Sequence, residues 1–166
     1  MKIFKEEQRF THLWLIVLMT VSLIVPIAII TKEYMQENAS MSTNEFILTM
    51  NGILASASII FFFKLKTRID EKGIHYQFFP FHFSLKTITW SEITTANVRT
   101  YDPIGEFGGW GLKGGFLWKK SKGKAITISG DIGIQLVLKT GKKLLIGTQK
   151  KLGAISVLET YKNKLV

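Results

Sequence analysis

The sequence predicts an α+β protein: an N-terminal two-helix transmembrane hairpin, then a seven-strand β-barrel or curled sheet capped by a C-terminal α-helix. Three observations carry this. Two uncharged runs of bilayer length lie in the first 63 residues, the apolar period changes from helical to two after Thr67, and an apolar stripe of helical spacing closes the chain. The expected division is a hairpin over 1–66 and one soluble domain over 67–166.

Phe10 to Thr31 holds 22 residues without a formal charge, enough at about 1.5 Å per residue to cross a hydrocarbon core of about 30 Å. Pro26 near its outer end is tolerable where neighbouring groups satisfy the freed carbonyl. His12 and Trp14 are expected at the interface, where amphipathic rings are at home. A cleaved signal peptide is the competing reading of this run, but the run exceeds the usual apolar core of such peptides and no A-x-A-like site follows. Phe46 to Phe63 is the second span, 18 uncharged residues. Gly52 and Ser56 lie four apart with Ala55 beside them, a face small enough for close helix approach. Packing on the first span is the simpler use of that face and a homodimer seam the alternative; Asn51 is expected to bond across it.

Three basic residues precede the first span, one lies between the spans, and Lys64, Lys66 and Arg68 follow the second. That bias places both termini in the cytoplasm of a cell (inner) membrane and the loop outside. Asn38-Ala39-Ser40 matches a glycosylation sequon of the kind that arises by chance. The net charge of +10 is uneven, since residues 64 to 166 carry eighteen Lys/Arg against seven Asp/Glu. A basic domain tethered at a bilayer is drawn to anionic headgroups or to an acidic partner.

Beyond Thr67 the expected strands are Thr67 to Asp70, Ile74 to Phe78, Phe83 to Trp90, Thr94 to Tyr101, Lys124 to Ser129, Ile134 to Lys139 and Lys142 to Gly147. On the fourth, Ala96, Val98 and Thr100 face one way and Asn97, Arg99 and Tyr101 the other. His75 is out of phase with Ile74, Tyr76 and Phe78, so it reads as a solvated strand histidine. The final helix has Thr148 as expected N-cap and Ala154, Leu158, Tyr161 and Leu165 on one stripe.

The order of elements resembles the pleckstrin-homology (PH) superfold. Trp90-Ser91-Glu92-Ile93, Tyr101-Asp102-Pro103, Phe107-Gly108-Gly109-Trp110-Gly111, Gly133-Ile134-Gln135-Leu136 and Leu144-Leu145-Ile146-Gly147-Thr148-Gln149 are similar to the pattern of small bacterial two-span membrane proteins with a PH-like domain. The resemblance covers essentially the whole chain. It implies no catalytic or ligand residues, and a shared fold does not settle function.

The absence of Cys excludes disulfides, thiolate nucleophiles and zinc-thiolate sites, and the three His lack ligand spacing. Neither a P-loop nor a dinucleotide fingerprint occurs in the Gly-rich loop 105–115, so no cofactor is expected. There its glycines let the backbone fold closely over the sheet while Phe107 and Trp110 pack on it, or they serve a contact surface. No recognition helix or RNP-like aromatic pair points to nucleic acid. The candidate binding residues are Arg99, Tyr101, Trp110 and Lys113 with Trp118, Lys119, Lys120 and Lys122, where positive charge alternates with large rings as in interfacial anchors. Lys64-x-Lys66-x-Arg68 reads as the topology signal rather than a phosphate loop. The expected function is a non-enzymatic membrane protein presenting an interaction module for a protein partner or anionic lipid headgroups. An accessory subunit of a membrane enzyme or transporter, using loop 105–115, is the alternative.

Overall fold

The computed structural model describes residues 2–11, 13–36, 41–114 and 123–165. His12, the sequon 38–40 and the segment with Trp118, Lys119, Lys120 and Lys122 lie outside the described residues. The chain divides into two compact units, one holding residues 10–62 and the other everything before and after them.

The first unit is the helical pair. Helix α1 spans Leu13–Tyr34 and α2 spans Thr43–Ser58, continued by a 3₁₀ turn at Ile59–Phe62. Both stretches are long and apolar enough to cross a membrane, and no residue of either is buried within the protein. Side chains such as Val17, Leu18, Val21 and Leu48 point outward from the pair. So much unpartnered apolar surface is unstable in water. At the connection, Ser42 and Glu45 form a capping box at the start of α2, and Tyr34 stacks on Phe46 with centroids 4.3 Å apart. Asn51 differs from expectation: its Nδ2 donates to Ile47 O one turn back, so the amide is satisfied within its own helix. Gly52, Ala55 and Ser56 are exposed, with nothing within 4 Å of a Cβ placed on Gly52.

The second unit contains two sheets and a C-terminal helix. Strands β1 (Phe4–Arg9), β2 (Lys64–Asp70), β3 (Gly73–Phe79) and β4 (Lys86–Thr89) form an antiparallel meander. A 3₁₀ turn at Trp90–Glu92 leads into β5 (Ile93–Thr100), short helix α3 (Pro103–Phe107), β6 (Gly111–Lys113), β7 (Lys124–Thr127), β8 (Ile132–Leu138) and β9 (Lys143–Gly147). The second sheet has the order β5-β8-β9-β7-β6, with β7 parallel to β9 and the other neighbours antiparallel. Helix α4 follows at Lys151–Thr160. The sheets are not closed into a barrel, and nine strands appear among the described residues instead of the expected seven.

The two added strands have different origins. β6 is only three residues long and lies inside the Gly-rich loop. β1 lies before the first span, in a stretch expected to be a charged tail of the hairpin. Its side chains alternate buried and exposed, with Phe4, Glu6 and Gln8 turned inward. Along β2 it runs in register from Phe4↔Ile69 to Arg9↔Lys64. Residues 4–9 therefore belong to the sheet unit, and the membrane-length hairpin is an insertion between the first two strands.

Glu6 and Gln8 are buried because distant partners await them. Glu6 accepts the Thr148 hydroxyl at 2.6 Å and the Gln149 amide at 2.8 Å, and Gln8 Nε2 donates to Gly147 O at 2.9 Å. Tyr161, which caps the C-terminus of α4, donates its hydroxyl to Lys2 O, two residues before β1, at 2.7 Å, so the segment leading into β1 is tied to the end of that helix. This explains a second difference at the last helix. Thr148 is held by Glu6 and accepts the Lys150 amide, so α4 begins later than expected, with Lys150 in the cap position. Ala154, Val157, Leu158 and Tyr161 are buried beneath it, and the core also takes in Leu65, Ile69, Ile74, Phe78, Ile134, Leu136 and Leu145.

Replacing Glu6 by Ala strands the Thr148 hydroxyl and the Gln149 N–H, a penalty of about 1–3 kcal/mol. Denaturant unfolding of the detergent-solubilised chain, followed by tryptophan fluorescence, is expected to show that loss. Phe4→Ala is expected to cost about 3 kcal/mol on the same axis through lost burial and a cavity.

Candidate functional site

Of the sequence-derived candidates that can be placed, Arg99, Tyr101 and Trp110 gather at one corner of the second sheet, and Lys113 lies on β6, at the other end of its strand order. Asp102 caps α3 by accepting the Ile104 and Gly105 amides at 3.0 Å each, Pro103 opens the helix, and Gly108 closes it in the left-handed conformation at φ 68°. This short helix turns Phe107 into a buried cluster with Tyr101, Ala125 and Leu145. Arg99, on β5, donates twice to Glu106 at 3.0 and 2.8 Å and through Nε to Gln135 at 3.1 Å. A bidentate guanidinium-carboxylate pair of this kind consumes most of the fork that would hold an anion.

Tyr101 and Trp110 converge on one acceptor, the Gly130 carbonyl, at 3.2 and 2.8 Å. Burial pushes the Tyr101 hydroxyl up to about 12, which keeps it a neutral donor. Lys113 lies half-buried on β6. At the end of that strand Gly114 has φ 89°, and a Cβ there would strike the Gly123 carbonyl, so close backbone approach requires glycine. Arg99, Tyr101 and Trp110 thus stabilise the corner between β5, α3 and the turn before β8. The Lys64-x-Lys66-x-Arg68 cations are likewise strand residues with acidic neighbours. Lys64 and Lys66 reach Glu7 at 3.1 and 3.9 Å, and Arg68 reaches Asp70 at 2.8 Å.

His75 differs from the solvated residue expected on β3. Its Nε2 lies 3.0 Å from Asp70 Oδ1 and its Nδ1 lies 2.8 Å from Thr87 Oγ1, so one ring links β2, β3 and β4. Asp70 is buried and also takes the Lys72 amide at 2.9 Å, while its carbonyl accepts the Trp90 indole at 2.9 Å. Burial by itself raises the Asp70 carboxyl; the bonds from His75 and Lys72, with the Arg68 charge, outweigh it and leave the group below the ordinary aspartate range.

A groove among the described residues lies elsewhere, between β5 and α4. This open groove of about 620 Å³ is lined by Thr94, Ala96 and Val98 on the strand side and by Ile155, Leu158, Glu159, Lys162 and Leu165 on the helix side. β5 ends its sheet, with β8 as its neighbour on one side. The Tyr101 amide donates to Asp131 O, so Tyr101 points its hydrogen-bonding groups toward β8. By the alternation of an antiparallel pair, the N–H and C=O of Ala96 and Val98 point away from β8, out of the ladder. An apolar groove thus runs beside outward-directed peptide groups. None of these groove residues was singled out for binding from the sequence. The signal available was surplus apolar character on the helix: Ile155 lies off the stripe that covers the core.

Among the described residues no cluster of three or more His, Asp or Glu has metal-binding geometry. Scans against protein-family models, curated proteins and solved structures return no match to this chain.

The depressed Asp70 value makes stability acid-sensitive. The contribution is fully present above the ordinary aspartate pKa of about 3.9 and is lost as pH falls through the lower folded value. Asp70→Asn is expected to remove about 2 kcal/mol at neutral pH, and to flatten the acid limb of stability against pH. A parallel acid limb in the variant would assign that limb to other carboxylates.

Proposed function

We propose that this is a non-enzymatic integral membrane protein whose sheet unit is a PH-like interaction module that takes an extended segment of a protein partner along β5. The observation that carries the reading is the groove between β5 and α4, beside the outward-directed peptide groups of Ala96 and Val98. Strand addition to such an edge supplies main-chain hydrogen bonds, and an adjoining apolar groove reads alternate side chains. The volume of about 620 Å³ falls within the range of ordinary binding clefts.

The PH-like assignment rests on strand order. With the β6-β7 hairpin regarded as an insertion between β5 and β8, the remaining order is a four-strand meander, a three-strand meander and a helix. The first of those seven strands is then β1, and the membrane hairpin is a second insertion. Membrane placement rests on two long apolar helices with no buried residue. The charge bias around them supports a cytoplasmic module, because Lys5 and Arg9 precede the hairpin, Lys64, Lys66 and Arg68 follow it, and Lys32 lies between the helices. The excess of Lys and Arg after residue 63 also suits an anionic leaflet, which would orient the module rather than attach it.

Peptides selected from a random display library on the full chain in lipid nanodiscs test this directly. Bound peptide is expected to slow hydrogen exchange at the Ala96 and Val98 amides. Ala96→Arg is expected to weaken binding at least about tenfold, or about 1.4 kcal/mol, while Trp110→Ala leaves it unchanged. Protection confined to other strands would refute the β5 assignment. Vesicle capture that depends on anionic lipid and ignores peptide would favour the headgroup reading.

A further inference from the structure

The connection from β3 to β4, Pro80 to Leu85, carries an unusual surface. Phe81 is 58% exposed, Phe83 84% and Leu85 49%. Rings of this size each hold well over a hundred square ångströms of apolar area, and placing several on one short loop is costly in water.

The loop is nevertheless well fastened. Gln77 Nε2 donates to the carbonyls of His82 and Phe83 at 3.1 and 2.9 Å, the His82 amide donates to Phe78 O at 2.8 Å, and the Phe78 amide donates to His82 Nδ1 at 3.3 Å. Phe81 stacks on Phe78 with centroids 5.9 Å apart, and Phe83 meets Phe79 edge-on at 6.1 Å. These bonds hold the backbone from within and leave the outer rings displayed.

Strand register fixes where the loop lies on the sheet. Arg9 pairs with Lys64, and Lys64 pairs with Phe79. The loop therefore springs from the same end of the meander at which the chain departs for the apolar hairpin and returns from it. Phe63, the residue directly after the second apolar stretch, lies 5.9 Å from the Phe81 ring and 5.8 Å from the Phe78 ring. Lys86 follows the loop and Lys64 stands two strands away, cations of the kind that flank interfacial aromatics.

From this continuity we infer that the Phe81-Phe83-Leu85 loop is a lipid-contacting anchor, seated in the headgroup and upper acyl region of the leaflet into which the hairpin inserts. This rests on the membrane reading proposed above. It makes the module a three-point attachment, with two covalent connections and one wedge of rings.

The chain has no cysteine, so single-cysteine labelling tests the anchor in the intact protein. Phe83→Cys, Leu18→Cys and Thr140→Cys are each coupled to an environment-sensitive fluorophore and reconstituted in vesicles of phosphatidylethanolamine and phosphatidylglycerol. All three positions are exposed, which keeps the substitutions compatible with the fold. The label at 83 is expected to emit to the blue of that at 140 and to lose intensity when nitroxide-bearing lipid, spin-labelled high on the acyl chain, is included. The label at 18 is expected to be quenched by lipid labelled near the chain end. If 18 responds so while 83 emits like 140, the anchor is refuted and the membrane reading stands. A blue-shifted label at 83 that lipid nitroxide fails to quench means that protein, another copy included, covers the loop, and also refutes it. An aqueous label at 18 overturns the membrane reading together with the anchor.

Discussion

The pairing of β1 with β2 is the constraint on which the rest of this structure depends. Two strands that meet at Arg9↔Lys64 are separated in sequence by an entire helical hairpin. Closing so long a connection costs chain entropy, but the cost grows only as the logarithm of length, about 0.6 kcal/mol for each doubling. A hairpin that folds as its own unit brings its ends together in advance. What β1 returns is a row of long-range contacts: Phe4 in the core, Glu6 on Thr148 and Gln149, Gln8 on Gly147, and the Lys2 carbonyl on Tyr161. It joins the first sheet by backbone pairing and the second by side chains, while the Lys2 carbonyl just before it meets Tyr161 at the end of α4.

This arrangement has consequences for function. An ordinary tether joins a domain through one connection, whereas here the chain leaves the sheet unit after Arg9 and re-enters it at Lys64, on two adjacent strands. Polar groups of three residues expected to bind a ligand are spent on holding the fold, with Arg99 on Glu106 and both Tyr101 and Trp110 on the Gly130 carbonyl. The proposed contact surfaces lie instead where peptide groups point out of the ladder or apolar side chains are exposed. The edge of β5 beside α4 offers both, and the rings at Phe81 and Phe83 offer the second.

Legibility in the sequence followed the locality of each signal. The apolar stretches and the period-two strands from Ile74 onward are visible because composition and alternation over a few residues determine them. β1 was not, since Phe-Lys-Glu-Glu-Gln-Arg carries one apolar residue and buries a glutamate and a glutamine whose partners lie about 140 residues away. Helix α3 was readable in principle: Asp102-Pro103 followed by Gly108 is a cap, a first-turn proline and a left-handed stop. The three-residue β6 is too short for any periodicity. The β5-α4 groove joins segments about 60 residues apart, and His75 looked solvated because alternation is blind to a buried Asp70 beside it.

The central claim is tested most directly by removing the hairpin. Joining Arg9 to Lys64 through a two-residue Asn-Gly turn, which suits an antiparallel pair in this register, is expected to give a soluble protein with cooperative unfolding. A chain beginning at Lys64 is expected to lose that cooperativity for want of β1. Equal stability of the two chains, or failure of the joined chain alone, would contradict the account.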